Sequence, residues 1–297
     1  MIDLHNHIVP EIDDGAASLD VSLAMAQMWL DDGVTVVAAT PHILPGLYPN
    51  SGAGIRQAVE ALQVALALKG LPLQVVAGAD NHIVPGFVDG LRSGHLLPLA
   101  GSRYVLVEPP HHVCPPRIDQ FFFDVQVAGY VPVLTHPERL SWIEGSYEIM
   151  RNLARKGVWM QITAGSLIGA FGRQPRYWAE RMLDEGLVHI LASDAHGADR
   201  RPPLLRRGFE SAERRIGVEQ AHHLVKTRPQ GILDDIPPQG LPMPLGLSVS
   251  IEGSDVPIRS ETGAHPVVPD ATQERLARRA GPAADGFAQR LRRVFAN

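Results

Sequence analysis

Two histidines one residue apart, His5 and His7, open the chain, followed by Asp13, Asp14 and Gly15 in "MIDLHNHIVPEIDDG". Imidazole and carboxylate groups so close together, ahead of any helix they could cap, carry the chemistry of divalent-metal ligands. By itself an HxH is a weak motif, and a polar N-terminal loop accounts for it equally well. The rest of the chain supplies partners. His42 closes "VTVVAATPH", Asp80 closes "LQVVAGAD", Glu108 sits in "YVLVEPP", His136 in "VPVLTHPER", and Asp194 and His196 in "VHILASDAH". With Asp14 these make nine candidate ligands, more than one ion needs, so two or three ions sharing carboxylates are expected. Thiolates are absent from the set, and an all-oxygen Mg²⁺ or Ca²⁺ site has no use for histidines, which leaves Mn²⁺, Fe²⁺ or Zn²⁺.

These residues need elements to hold them. Five times, at Gly33, Gly70, Gly129, Gly157 and Gly186, a helical stretch ends in glycine and a short apolar run follows. Glycine tolerates the left-handed position just past a helix end. Runs this short and this uniformly apolar predict parallel strands covered on both faces. "MIDLHNH" and "SRYVLVEPP" raise the number of expected strands to seven. Between strands, Ile55, Val59, Leu62 and Leu66 recur at helical spacing, and Ser18 and Ser146 are expected N-caps. The polar candidates fall at the C-terminal ends of the strands, where residues i and i+2 share a face, as His5 and His7 or Asp194 and His196 do. A (β/α) barrel gathers all its strand ends at one mouth, whereas an open sheet gathers only those at its switch point. A distorted α/β barrel of seven βα units is therefore expected.

At this point the chain resembles a known family. HxH, "TPH", "GAD" in the place of a usual G-x-E, "VEPP", "THPER" and "SDAH" followed by "RPP" are similar to the polymerase-and-histidinol-phosphatase (PHP) superfamily. More narrowly they resemble its bacterial manganese-dependent protein-tyrosine phosphatases of capsule and exopolysaccharide loci. The resemblance covers roughly residues 1–236 and implies a distorted (βα)7 TIM-like PHP barrel with a trinuclear centre. It implies one ion on His5, His7, Asp80 and Asp194, a second on Asp80, Glu108 and His136, and a third on Asp14, His42 and His196. Mn²⁺ is the metal implied, with Fe²⁺ or Zn²⁺ as alternatives. Arg139 and Arg201 match the family's phosphate-contacting positions, where a guanidinium fork suits phosphoryl oxygens. The substrate implied is phosphotyrosine on a bacterial tyrosine autokinase in the cytoplasm. Two other functions stay open: a small-molecule phosphatase of the histidinol-phosphate kind, and a barrel with an impaired metal centre serving as a binding module. Glu108, where histidinol enzymes tend to show histidine, favours the protein phosphatase. Asp80, one methylene shorter than the family's Glu, is the ligand most open to change.

Composition excludes other classes. A net charge of −5 gives no reason to expect nucleic-acid binding, and no apolar run approaches a membrane span. The one cysteine, Cys114, forms no intramolecular disulfide and is followed six residues later by Gln120, not by the arginine of a cysteine-dependent phosphatase. It reads as a passive loop residue, and His111 and His112 beside it as loop histidines that could shape substrate access. His222 and His223 read as structural or solvated. Three regions are expected: the phosphatase domain 1–236, a Pro/Gly-rich linker 237–270, and a basic, helical tail 271–297 that packs on the barrel or docks weakly to a membrane surface or partner. The oligomeric state is not legible.

Overall fold

The computed structural model describes residues 1–248. Strands β1 (Ile2–Asn6), β2 (Val36–Ala39) and β4 (Gln74–Ala77) form one parallel sheet in the order β1-β2-β4. The second parallel sheet runs β3 (His42–Ile43), β5 (Asp80–His82), β6 (Tyr104–Glu108), β7 (Val131–Thr135), β8 (Trp159–Thr163), β9 (Ile190–Ala192). Two of the seven expected strands are thus split in half. Pro41, which has no N–H for a ladder, separates β2 from β3, and Gly78 and Ala79 separate β4 from β5. The ring returns on itself where Asn6 bridges Ala195 and the Asp194 N–H donates to the His5 carbonyl at 2.8 Å. The architecture is a distorted (βα)7 barrel.

Helices cover its outside. Among them are α1 (Leu19–Asp31), α2 (Gly52–Leu68), α3 (Phe87–Ser93), α4 (Ile118–Val127), α5 (Ile143–Arg155), α6 (Ala164–Leu167), α7 (Arg173–Asp184) and α8 (Leu205–Ile216). Ser18 caps α1, its hydroxyl accepting from the Val21 N–H at 3.3 Å. Ser146 is not at the start of α5, which begins at Ile143, but at a kink within it where two helical segments join, with a non-helical φ of −131° just before the run it was expected to cap. All five glycines expected to end helices have positive φ.

Strand alternation divides the core. Leu106, Trp159 and Ile190 pack in the barrel interior, while Val107, Met160 and Leu191 on the same strands pack beneath the helices. β1 breaks this alternation usefully. Its pairing with β2 slips between Asp3 and Asn6, so one extra residue is inserted. Ile2 and Leu4 fill the interior, and after the bulge His5 and His7 point inward too.

At the end of the barrel away from the strand C-termini, Trp159 meets Tyr104 edge-on at 4.8 Å and stacks on His189 at 4.8 Å. Arg228, 1% exposed, donates from Nη1 to the His189 carbonyl at 3.2 Å and from Nε to the Pro242 carbonyl at 2.6 Å. Residues 237–248, the start of the expected linker, lie against this end, with Leu241 buried beside Ile232. The remainder of 237–270 and the expected tail 271–297 lie outside the described residues.

His189 offers a test of this end of the barrel. Burial, then the Arg228 charge, hold its pKa well below 6.5. Unfolded, it would titrate near 6.5, so as pH falls below that value the unfolded state takes up a proton the folded state refuses. Stability is lost with falling pH, by up to about 1.4 kcal/mol per pH unit from this group. His189→Gln, read by urea unfolding in chelator between about pH 6.5 and 5.5, is expected to show a shallower acid slope. An unchanged slope would remove His189 from the acid-sensitive groups.

Candidate metal centre

The barrel mouth gathers the sequence-selected residues from six strand positions. His5 and His7 leave the end of β1. Asp13, Asp14 and Gly15 follow on a loop that folds back over His7, so closely that a Cβ on Gly15 would lie 2.3 Å from the His7 carbonyl oxygen. Only glycine permits that approach. His42 begins β3, Asp80 begins β5, and Glu108 ends β6. His136 directly follows β7 and Asp194 lies two residues past β9, with left-handed φ of 33° and 50°. Arg201 has a φ of 55°. For a residue with a Cβ this costs on the order of 1 kcal/mol, a strain that concentrates at functional sites.

The side chains converge in overlapping clusters. His5 Nε2 lies 3.4 Å from Asp80 Oδ2 and 3.6 Å from Asp194 Oδ1, and His7 Nε2 lies 3.4 Å from Asp194 Oδ1. Asp14 Oδ1 lies 3.6 Å from His42 Nε2 and 3.5 Å from His196 Nε2. Glu108 Oε1 lies 3.6 Å from His136 Nε2, and His42 Nδ1 lies 3.4 Å from Asp80 Oδ2. Among the described residues, five groups of three or more donors are close enough to share an ion. Asp80 belongs to the one with His5 and His7; the one with Glu108 and His136 is completed by His111.

The donors fit divalent cations. The Nε2 atoms of His5 and His7, both Asp80 oxygens and Glu108 Oε2 are buried without a hydrogen-bond partner, although complementary atoms stand within 3.6 Å. Polar atoms left so in a dry interior are costly unless their lone pairs converge on a cation. The far sides of the rings are tied down. His7 Nδ1 meets Asp13 Oδ2 at 2.6 Å and His5 Nδ1 meets Gln161 Oε1 at 2.8 Å, which fixes ring orientation.

The electrostatics agree. Burial alone would lower the pKa of His5, but Asp80 and Asp194 outweigh it and push it up to about 9. His7 is likewise pushed up to about 9, against burial, by Asp13 and Asp194. A pocket that stabilises buried positive charge on imidazoles also favours a divalent ion. Burial and Arg139 keep His136 neutral, and burial with His7 lowers His196 to about 4. Despite its burial, Asp194 is held ionised by His5 and by the two arginines.

Asp194 joins both halves of the site. Its Oδ1 faces His5, His7 and His196, and its Oδ2 accepts from Arg139 and from Arg201. Phe171 lies under both guanidinium groups, 4.4 Å from Arg139 Cζ and 5.7 Å from Arg201 Cζ. A cleft of about 410 Å³ opens beside them, lined by Asp14, Ala17, Val21, His196, Arg200 and Arg201.

Three residues here escape sequence reasoning. His111, read as a loop histidine, donates into the cluster, its Nε2 3.1 Å from Glu108 Oε1. Gln161 orients His5 from strand β8, with no signal in its own neighbourhood. His82 lies 2.8 Å from Glu108 Oε2 and did carry a signal: it stands at i+2 from Asp80, the spacing that pairs His5 with His7.

Comparison with known proteins shows what the chain is similar to. A family model described as "Capsular polysaccharide synthesis, CpsB/CapC" matches residues 1–234. The tyrosine-protein phosphatase YwqE of Bacillus subtilis is 35% identical over 226 residues, 76% of this chain and 89% of that protein. The tyrosine-protein phosphatase CpsB of Streptococcus pneumoniae is 28% identical over 242 residues, 79% of this chain and 99% of that one. A solved structure from work on YwqE and CpsB, described as unique metal-dependent tyrosine phosphatases, superposes with a TM-score of 0.76 at 34% identity, covering 79% of this chain and 95% of the other.

Proposed function

Because the chain belongs to the CpsB/CapC family of capsular polysaccharide synthesis proteins, we propose that its strand-end cluster is the metal centre of a tyrosine-protein phosphatase. The chain is a metal-dependent phosphoric monoester hydrolase acting on phosphotyrosine. The observation that carries this reading is the convergence of buried, unpartnered imidazole and carboxylate atoms beside two arginines at one barrel mouth. His5, His7, Asp80 and Asp194 would hold one ion, Glu108 and His136 with Asp80 a second, and Asp14, His42 and His196 a third, Mn²⁺ being the metal of this reading. Bound there, such ions would lower the pKa of a water and neutralise charge on the phosphoryl oxygens.

The chain's own groups do the rest. Arg139 and Arg201 are aimed by Asp194 Oδ2 and backed by Phe171, so their remaining N–H groups meet phosphoryl oxygens without reorganising. Asp13 is no proton donor. Although buried, its carboxyl is held below the usual range by His7, and it stays an orienting base. A tyrosine leaving group, with a pKa of about 10, needs little protonation on departure. The substrate in this reading is a bacterial tyrosine autokinase that governs capsule or exopolysaccharide synthesis, met in the cytoplasm. A lone cysteine suits that compartment, and no helix among the described residues is long and apolar enough to cross a membrane.

Stripping the protein with chelator should abolish hydrolysis of a phosphotyrosine peptide, and Mn²⁺ should restore it. The restored kcat/KM is expected to exceed that for histidinol phosphate by at least about tenfold. Equal or reversed preference would assign the protein to small-molecule phosphatases, and activity that survives chelation would end the metal-dependent reading.

A further inference from the structure

Resting on the metal-dependent reading above, we propose that His82 is a metal ligand of this chain, binding through Nε2 the ion that Glu108 holds. The ligand sets implied by the sequence do not include it.

Position comes first. Asp80 and His82 begin and end β5, and the period of two sends both side chains into the barrel mouth. Asp80 has a short side chain, and its Oδ2 reaches the His5 side of the centre, 3.4 Å from His5 Nε2. Glu108 faces two ways. Its Oε1 meets His111 at 3.1 Å and His136 at 3.6 Å, while Oε2 meets His82 at 2.8 Å and His42 Nδ1 at 3.2 Å. His82 Nε2 also lies 3.2 Å from His42 Nδ1, a hydrogen-bond distance. Donors bound to one cation at about 2.0–2.2 Å lie about 3.0 Å apart at right angles and about 3.4 Å apart at tetrahedral angles, so His82 Nε2 and Glu108 Oε2, 2.8 Å apart, are spaced like two neighbouring donors to one cation.

Hydrogen bonding joins His82 to His42 but does not account for its contact with Glu108. Glu108, only 5% exposed, leaves Oε2 without a hydrogen-bond partner even though His82 Nε2 is 2.8 Å away, because the ring N–H direction misses it. A buried carboxylate oxygen and a ring nitrogen this close, off the hydrogen-bond line, suit a cation between their lone pairs. His42 stands between two clusters, Nε2 toward Asp14 and Nδ1 toward Glu108. One imidazole ordinarily gives one nitrogen to one ion. His82 gives the Glu108 side a nitrogen of its own, so His42 remains available to Asp14 and His196. A centre with this added imidazole is richer in nitrogen, and its preference moves from Mn²⁺ toward Zn²⁺ or Fe²⁺.

The test counts metal directly. Full-length chain, His82→Ala and His82→Gln are stripped with chelator, loaded with Zn²⁺, desalted and assayed by elemental analysis, with thermal melting as the check on folding. Both variants are expected to lose about one equivalent relative to wild type. A zinc-edge anomalous map of the wild-type protein is expected to place a peak at bonding distance from His82 Nε2. Wild-type stoichiometry in folded variants, or no peak at that nitrogen, would overturn the proposal and leave His82 as a residue that positions His42. If neither variant folds, the wild-type map decides. A wild-type chain that takes up no zinc and no manganese would instead overturn the metal-dependent reading itself.

Discussion

Asp194→Asn is expected to lower kcat/KM for a phosphotyrosine peptide by at least about a thousandfold, a loss near 4 kcal/mol of transition-state stabilisation. The substitution keeps the shape and removes the charge. One carboxylate presently faces His5, His7 and His196 with Oδ1 and receives Arg139 and Arg201 on Oδ2. An amide offers a single acceptor oxygen, so either the histidine side or the arginine side meets an NH₂ group. Both arms of the site cannot be served at once. Elemental analysis should show a fall in bound metal alongside the lost turnover. An Asn variant within tenfold of wild type would mean that Asp194 is a packing residue and that the two arginines are aimed by something else.

Arg201→Ala is expected to cost about 10²–10³ in kcat/KM, with metal content close to wild type. Its guanidinium donates to Asp194 and stands 3.0 Å from His196 Nε2, at the edge of the cleft that Arg201 lines. Lysine should recover little of the loss, since an ammonium cannot supply the planar fork and stacks poorly on Phe171. Steady-state kinetics on both variants, with metal measured in the same samples, separate phosphate binding from ligand positioning. A loss below about threefold in Arg201→Ala would remove Arg201 from phosphate recognition.

The barrel was legible because its signals are local. Each glycine-ended helix followed by a short apolar run is a one-dimensional pattern, and the polar residue closing each run marks the mouth. Ser18 was legible as a cap for the same reason. Ser146 was legible only in part, because a helical segment from Ile143 already precedes it and joins the following one across a kink at Ser146. His82 lay within reach of the i+2 rule, whereas Gln161 contacts His5 across 156 positions of sequence and leaves no local trace.

Residue type and spacing along the chain therefore determined the class of fold, the end of the barrel that carries chemistry, and a donor set suited to divalent metals. Which donors meet was decided only in three dimensions. The β1 bulge turns His5 inward after Leu4, Pro41 and Gly78 break two strands so that His42 and Asp80 join a different sheet from their own first halves, and the short arm of Asp80 ends beside His5 and His42 while His82 and His111 close on Glu108. Periodicity reports the direction of a side chain relative to its own strand, but coordination depends on distances between strands, and those are set by bulges, breaks and packing around the whole ring.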